Sequence, residues 1–173
     1  MSRAFTKEDD VGAPPLVPRR APLPPGVPNY VTARGLAALR GELAELHALV
    51  AKARAGAAGA EPDTVRAREL NALAERSAEL EARLASAELV PLPEPAPDEV
   101  RFGATVTVTG ADGAERAYTI VGVDEANAAE ARIAFVAPLA RALLGKRVGD
   151  ATVVRTPHGD DEIEIVKLSY ERG

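Results

Sequence analysis

Few residues in this sequence are equipped for chemistry. It contains no cysteine, which excludes thiolate nucleophiles, thiolate metal sites and disulfides, and fits a reducing compartment. The two histidines, His47 and His158, lie far apart without ligand spacing, so neither a histidine metal centre nor a catalytic triad is expected. Carboxylates remain. Glu61 and Asp63 flank Pro62 in GAAGAEPD, residues 56–63, between two leucine-rich runs. Asp160, Asp161, Glu162 and Glu164 form a second acidic stretch. Oxygen ligands can hold a hard cation, but both groups also have ordinary roles. Asp63 suits a helix N-terminus and Pro62 its first turn. The second stretch suits a solvated strand edge.

The runs on either side of GAAGAEPD decide where its acids sit. Apolar residues fall at Leu36, Leu39, Leu43, Leu46 and Val50, then at Leu70, Leu73, Leu80, Leu84 and Ala87, with Ser77 in one seam position. Steps of three and four are the seam of a coiled coil. Folded back on itself, the pattern sets Leu36 against Leu84, Leu43 against Ser77 and Val50 against Leu70. An antiparallel hairpin over 32–89 follows, with Thr32 as N-cap and a tip at 56–63. Arms of about 25 residues would project about 35–40 Å. The charged faces, including Arg40, Glu42, Glu45, Lys52 and Arg68, favour projection over a dimerisation arm.

Proline brackets this hairpin. Residues 1–31, with APPLVPRRAPLPPGVPN, read as a flexible polyproline tail, and 90–97, VPLPEPAP, as a stiff linker. The PxxP pattern in the tail is a weak recognition signal beside a spacer role. From 98 to 173 the period changes to two. Val100–Val108, Tyr118–Val121, Arg132–Val136, Thr152–Arg155 and Glu162–Leu168 read as strands, with GADG as a turn and Pro138–Leu144 as a short helix closed by Gly145. An α+β chain is expected, its C-terminal domain a small antiparallel sheet with one short helix. The net charge of −5 argues against coating nucleic acid. MSRAFTKEDD lacks a signal-peptide core and no apolar run reaches membrane-spanning length, so a cytoplasmic location is expected.

Several stretches together carry a family resemblance: FGATVTV at 102–108, IVGVDEA at 120–126, APLARALLGKRVGD at 137–150 and TPHGDDEIEIVKLSY at 156–170, behind NYVTARGLAAL at 29–39. From about Asn29 to Tyr170 the chain resembles the bacterial GreA/GreB transcript-cleavage factors. The resemblance implies an FKBP-like C-terminal domain that docks on RNA polymerase. It also implies a coiled coil entering the polymerase secondary channel, where tip carboxylates help hold a second Mg²⁺ and position a water. The family's tip pattern is roughly Asp-x-x-Glu-Asn followed by an acid and an aromatic. GAAGAEPD stands in its place, leaving only Glu61 and Asp63 as shared Mg²⁺ ligands. Weak or absent cleavage stimulation is therefore expected, with cleavage through those two acids as the alternative.

The docking surface is expected around Pro138, Leu139, Arg141, Leu143, Lys146 and Arg147, with the leucines partly in the core. Arg141, Lys146 and Arg147 could equally be solvated charge, and Gly145 and Gly149 backbone requirements. The resemblance implies RNA polymerase as partner, an indirect contact with nascent RNA, a monomer, no membrane, and no cofactor or metal held by the factor alone. Any RNA cleavage would belong to the polymerase. Two other classes compete. A prolyl isomerase of FKBP-like fold would need aromatic lining, and the domain offers only Phe102, Tyr118, Phe135 and Tyr170. A coiled-coil adaptor would dimerise through the leucine seam.

Overall fold

The computed structural model describes residues 22–57, 64–156 and 159–170. Glu61, Asp63, Pro62, His158 and most of the proline-rich tail lie outside the described residues.

Two long helices, α1 (Ala33–Ala57) and α2 (Thr64–Ala85), form the hairpin. Thr32 caps the first, its hydroxyl accepting from the Gly35 N–H at 3.0 Å. Leu39, Leu46 and Leu80 are buried between the arms, with Leu36, Leu43, Leu73 and Leu84 packed around them. Ser77 is also buried in the seam and donates to the Leu73 carbonyl at 3.0 Å. Glu42 and Arg76 meet across the arms at 3.0 Å, as do His47 and Glu81.

Two short strands tie the open end of the hairpin. β1 (Asn29–Val31) runs parallel to β2 (Ala87–Leu89), pairing Asn29 with Ala87 and Val31 with Leu89. The sequence assigns Asn29–Val31 to the tail and Ala87 to the helical seam. Both belong to strands, because Val31 is fully buried against the leucine cluster and Ala87 packs beside it. Asn29 is buried too, its amide donating to the Arg83 carbonyl at 2.8 Å and to the Ser86 hydroxyl at 3.1 Å.

The second part is a five-stranded curved sheet of β3 (Thr105–Gly110), β4 (Glu115–Val121), β5 (Arg132–Ala134), β6 (Ala151–Thr156) and β7 (Gly159–Ser169), in the order β5-β4-β3-β7-β6. Helix α3 (Pro138–Leu143) packs against it. Val106, Val108, Ile120, Ile163 and Ile165 point inward from the strands to meet Ala140 and Leu143 of α3. The expected all-antiparallel sheet is corrected at one edge, where β5 runs parallel to β4. After β4 the chain makes two 3₁₀ turns, Val123–Glu125 and Ala128–Glu130, and re-enters beside β4 in the same direction. A connection of that length permits the crossover that a tight hairpin forbids.

Candidate functional site

At the far end of the hairpin the two arms are linked close to the tip. The Arg66 guanidinium on α2 donates to the Gly56 carbonyl at 2.9 Å, satisfying an end carbonyl of α1 that the helix itself leaves open. Apolar cover thins out here, with Leu49 and Val65 largely exposed. The tip acids themselves are beyond the described residues. Among the described residues no group of three or more potential metal ligands converges.

The six residues expected to form a docking surface separate into layers. Pro138 opens α3 and is exposed, while Arg141 projects to solvent and makes no ion pair with a described residue. Leu143 is fully buried in the sheet core, which corrects its assignment to the surface: helical spacing turns Ala140 and Leu143 to the same side. Leu139 and Leu144 are half-buried. The backbone of Lys146 is committed, its carbonyl accepting from Val100 at 2.7 Å. Arg147 is exposed and pairs with Asp98 at 3.3 Å. The exposed rim is thus Pro138, Arg141 and Arg147, with Leu139 and Lys146 partly open.

Leu139 also borders a groove of about 440 Å³ on the inner side of the sheet, floored by Val108, Val154 and Ile163 and edged by Asp112, Arg116, Tyr118 and Asp161. Arg116 bonds Asp112 at 2.6 Å. That bond, helped by the Ala114 N–H, holds the Asp112 carboxyl below its usual range, and the same bond raises Arg116. Of the four aromatic residues that could line an isomerase pocket, only Tyr118 reaches this groove. Phe102 and Phe135 instead pack with Tyr30 in a three-ring cluster, centroids 5.4–6.0 Å apart. The Tyr170 hydroxyl is engaged by backbone. Glu162 and Glu164, in the acidic stretch, are exposed on β7 opposite Val153 and Ala151, but β7 lies between β3 and β6, so the expected solvated edge is corrected to the solvated face of an interior strand.

Several polar contacts meet at the junction between hairpin and sheet, and most of them are not evident in the sequence. Glu125 accepts from the Thr32 N–H at 2.8 Å and from the Thr32 hydroxyl. Its neighbour Asp124 meets Arg83 of α2 at 3.3 Å, with both side chains nearly buried. Arg34 of α1 reaches Glu130 at 3.6 Å, and Arg132 holds the same carboxylate at 3.1 Å. Two glycines permit the close approach. A Cβ at Gly35 would overlap the Glu125 carboxyl, and one at Gly122 would overlap the Tyr30 carbonyl. Only the Thr32 cap was foreseeable, because each other contact joins residues more than fifty positions apart or depends on the crossover.

Residues 94–170 match the family described as transcription elongation factor, GreA/GreB, C-term. Transcription elongation factor GreB of Neisseria meningitidis serogroup A is 45% identical over 89 residues, covering 51% of this chain and 55% of that protein. Transcription elongation factor GreA of Hyphomonas neptunium is 40% identical over 90 residues, covering 51% and 57%. The chain spans about half the length of these curated relatives. Among solved structures, GreA/GreB from Nitrosomonas europaea is 25% identical, covering 82% of this chain and 98% of that one at a TM-score of 0.40. The GreA factor homolog 1 (Gfh1) protein of Thermus thermophilus is 22% identical, covering 83% and 99% at a TM-score of 0.39.

Proposed function

We propose, from the match of residues 94–170 to the GreA/GreB C-terminal family, that the whole chain is a Gre-type regulator of RNA polymerase. In this reading the domain at 98–173 docks on the polymerase through Pro138, Leu139, Arg141, Lys146 and Arg147. Leu143 supports that surface from behind. The hairpin enters the secondary channel and alters elongation there, with weak or absent stimulation of transcript cleavage. The factor works as a cytoplasmic monomer that touches nascent RNA only indirectly.

The observation carrying the subclass is the tip sequence. Helices of 25 and 22 residues make a long arm, yet GAAGAEPD supplies two carboxylates separated by proline and no asparagine or aromatic. Sharing a Mg²⁺ with the polymerase requires converging oxygen ligands. The hairpin has the form for reaching a catalytic centre but little of the ligand set. The isomerase reading is weakened by the single aromatic at the groove. The adaptor reading is weakened because the leucine seam is already filled within one chain.

The test is transcript cleavage by stalled, backtracked polymerase complexes in Mg²⁺, run beside competition against an authentic Gre factor. Competition without cleavage is expected. Cleavage abolished by Glu61→Ala or Asp63→Ala would establish the alternative, and absence of competition would remove the polymerase assignment.

A further inference from the structure

We infer that the adjacent pair Asp124-Glu125 is a two-point clamp that sets the direction of the hairpin relative to the sheet domain. Consecutive carboxylates in one 3₁₀ turn grip different arms. Glu125 takes the start of α1 by accepting both the N–H and the hydroxyl of Thr32. Asp124 takes the end of α2 through Arg83, with side chains only 5% and 10% exposed. Arg34–Glu130 and the packing of Tyr30 on Phe102 and Phe135 also join the two parts, and both act on the side of α1. The pair at 124 and 125 grips both arms from one turn, which resists rotation of the hairpin about its α1 side.

The surroundings reinforce the clamp. Thr32 is at once the N-cap of α1 and the ligand of Glu125, so releasing Glu125 loosens a helix start as well. Arg83 offers its side chain to Asp124 and its carbonyl to Asn29, which couples the second arm to β1. Gly35 leaves room for the Glu125 carboxyl beside α1, and Gly122 lets the Tyr30 carbonyl approach the turn. A charge-assisted hydrogen bond at Glu125 and a nearly buried ion pair at Asp124, close enough for attraction though its Oδ2 makes no hydrogen bond, here span the boundary between the two parts of the molecule. Asp124 and Glu125 are positioning residues in this account. They touch neither the tip nor the rim around α3, and they act by fixing where the tip points. This rests on the reading of the hairpin as the arm that reaches a partner.

The absence of cysteine makes the test direct. Leu49→Cys on α1 and Val153→Cys on β6, both largely exposed, carry nitroxide labels in the otherwise unchanged chain, and the spin–spin distance distribution reports the direction of the arm. A narrow distribution is expected for the parent. Glu125→Ala and Asp124→Asn should each broaden it, and the pair together should broaden it most. Glu125→Gln, which keeps an acceptor for the Thr32 N–H, should stay close to the parent. Circular dichroism must show unchanged helix content, and if Glu125→Ala unfolds the sheet domain, Asp124→Asn gives the same reading with side-chain size preserved. An unchanged distribution in the folded double variant overturns the clamp.

On polymerase, the double variant should compete with a Gre factor within about twofold of the parent while losing about tenfold or more of its effect on elongation, as mispositioned groups do. An equal loss of binding and effect would place the two carboxylates in the docking face and overturn the positioning role. Broadened distances with no polymerase binding by any variant would leave the clamp standing and remove the polymerase reading instead.

Discussion

Tyr170 closes the sheet domain through one oxygen. Its hydroxyl donates to the Glu99 carbonyl at 2.6 Å and accepts from the Arg101 N–H at 2.9 Å, pinning the end of β7 to the segment entering the domain. Burial pushes the phenol above its ordinary range. A raised folded value means that the native state holds the proton more tightly than the unfolded chain. Its contribution to stability is therefore fully present below about pH 10 and is lost as pH rises through the folded value. Urea unfolding between pH 8 and 11 should show that alkaline decline, and Tyr170→Phe should flatten it while lowering stability at neutral pH. Leu143→Ala should destabilise by about 2–5 kcal/mol because it empties a fully buried site. Arg141→Ala, two residues away but exposed, should stay within about 0.5 kcal/mol of the parent in the same denaturation experiment. Polymerase competition should reverse the order of interest, since a folded Arg141→Ala protein tests docking and Leu143→Ala tests the core.

The helices and their seam are legible in the sequence because the signal is local. Leucines at steps of three and four, a threonine cap and a glycine-proline break suffice. Ser77 is the exception in the seam. Buried and bonded back to Leu73, it spends its hydroxyl on a carbonyl already served by the helix. Ser77→Ala should therefore raise stability by about 0.5 kcal/mol through better helix propensity, visible as a higher melting temperature. The hidden elements are those whose partners lie far along the chain. β1 has three residues among prolines, and only Ala87–Leu89, delivered by the returning arm, makes it a strand. The parallel edge of β5 depends on two 3₁₀ turns whose residues carry no strong pattern. Gly122 gives no hint in one dimension that the Tyr30 carbonyl lies against it. Gly122→Ala should cost about 1–3 kcal/mol, and the loss should concentrate at the junction, with faster amide exchange at Thr32 than at Ile165.

Across the whole molecule, the seam of the hairpin and the core of the sheet are separate apolar clusters, joined by Tyr30, Phe102 and Phe135 and by the acids at 124 and 125. The rim around α3 and the helical arms thus lie on parts that fold around different cores. A variant can be altered at one without emptying the other. The parallel pairing of β1 with β2 has a further consequence. The chain enters and leaves the hairpin side by side, in the same direction, at a single place. All strands of the sheet domain follow the hairpin in the chain, so the arm is attached to it at one end only, and matched changes in the length of its two helices leave that attachment alone. Removing seven residues from each helix in matched register would preserve the junction and the seam period while drawing the tip back by about 10 Å. The arm is in that sense a gauge with heptad graduations, and a series of such lengths, scored by their effect on elongation, would test the proposed reach into the polymerase channel.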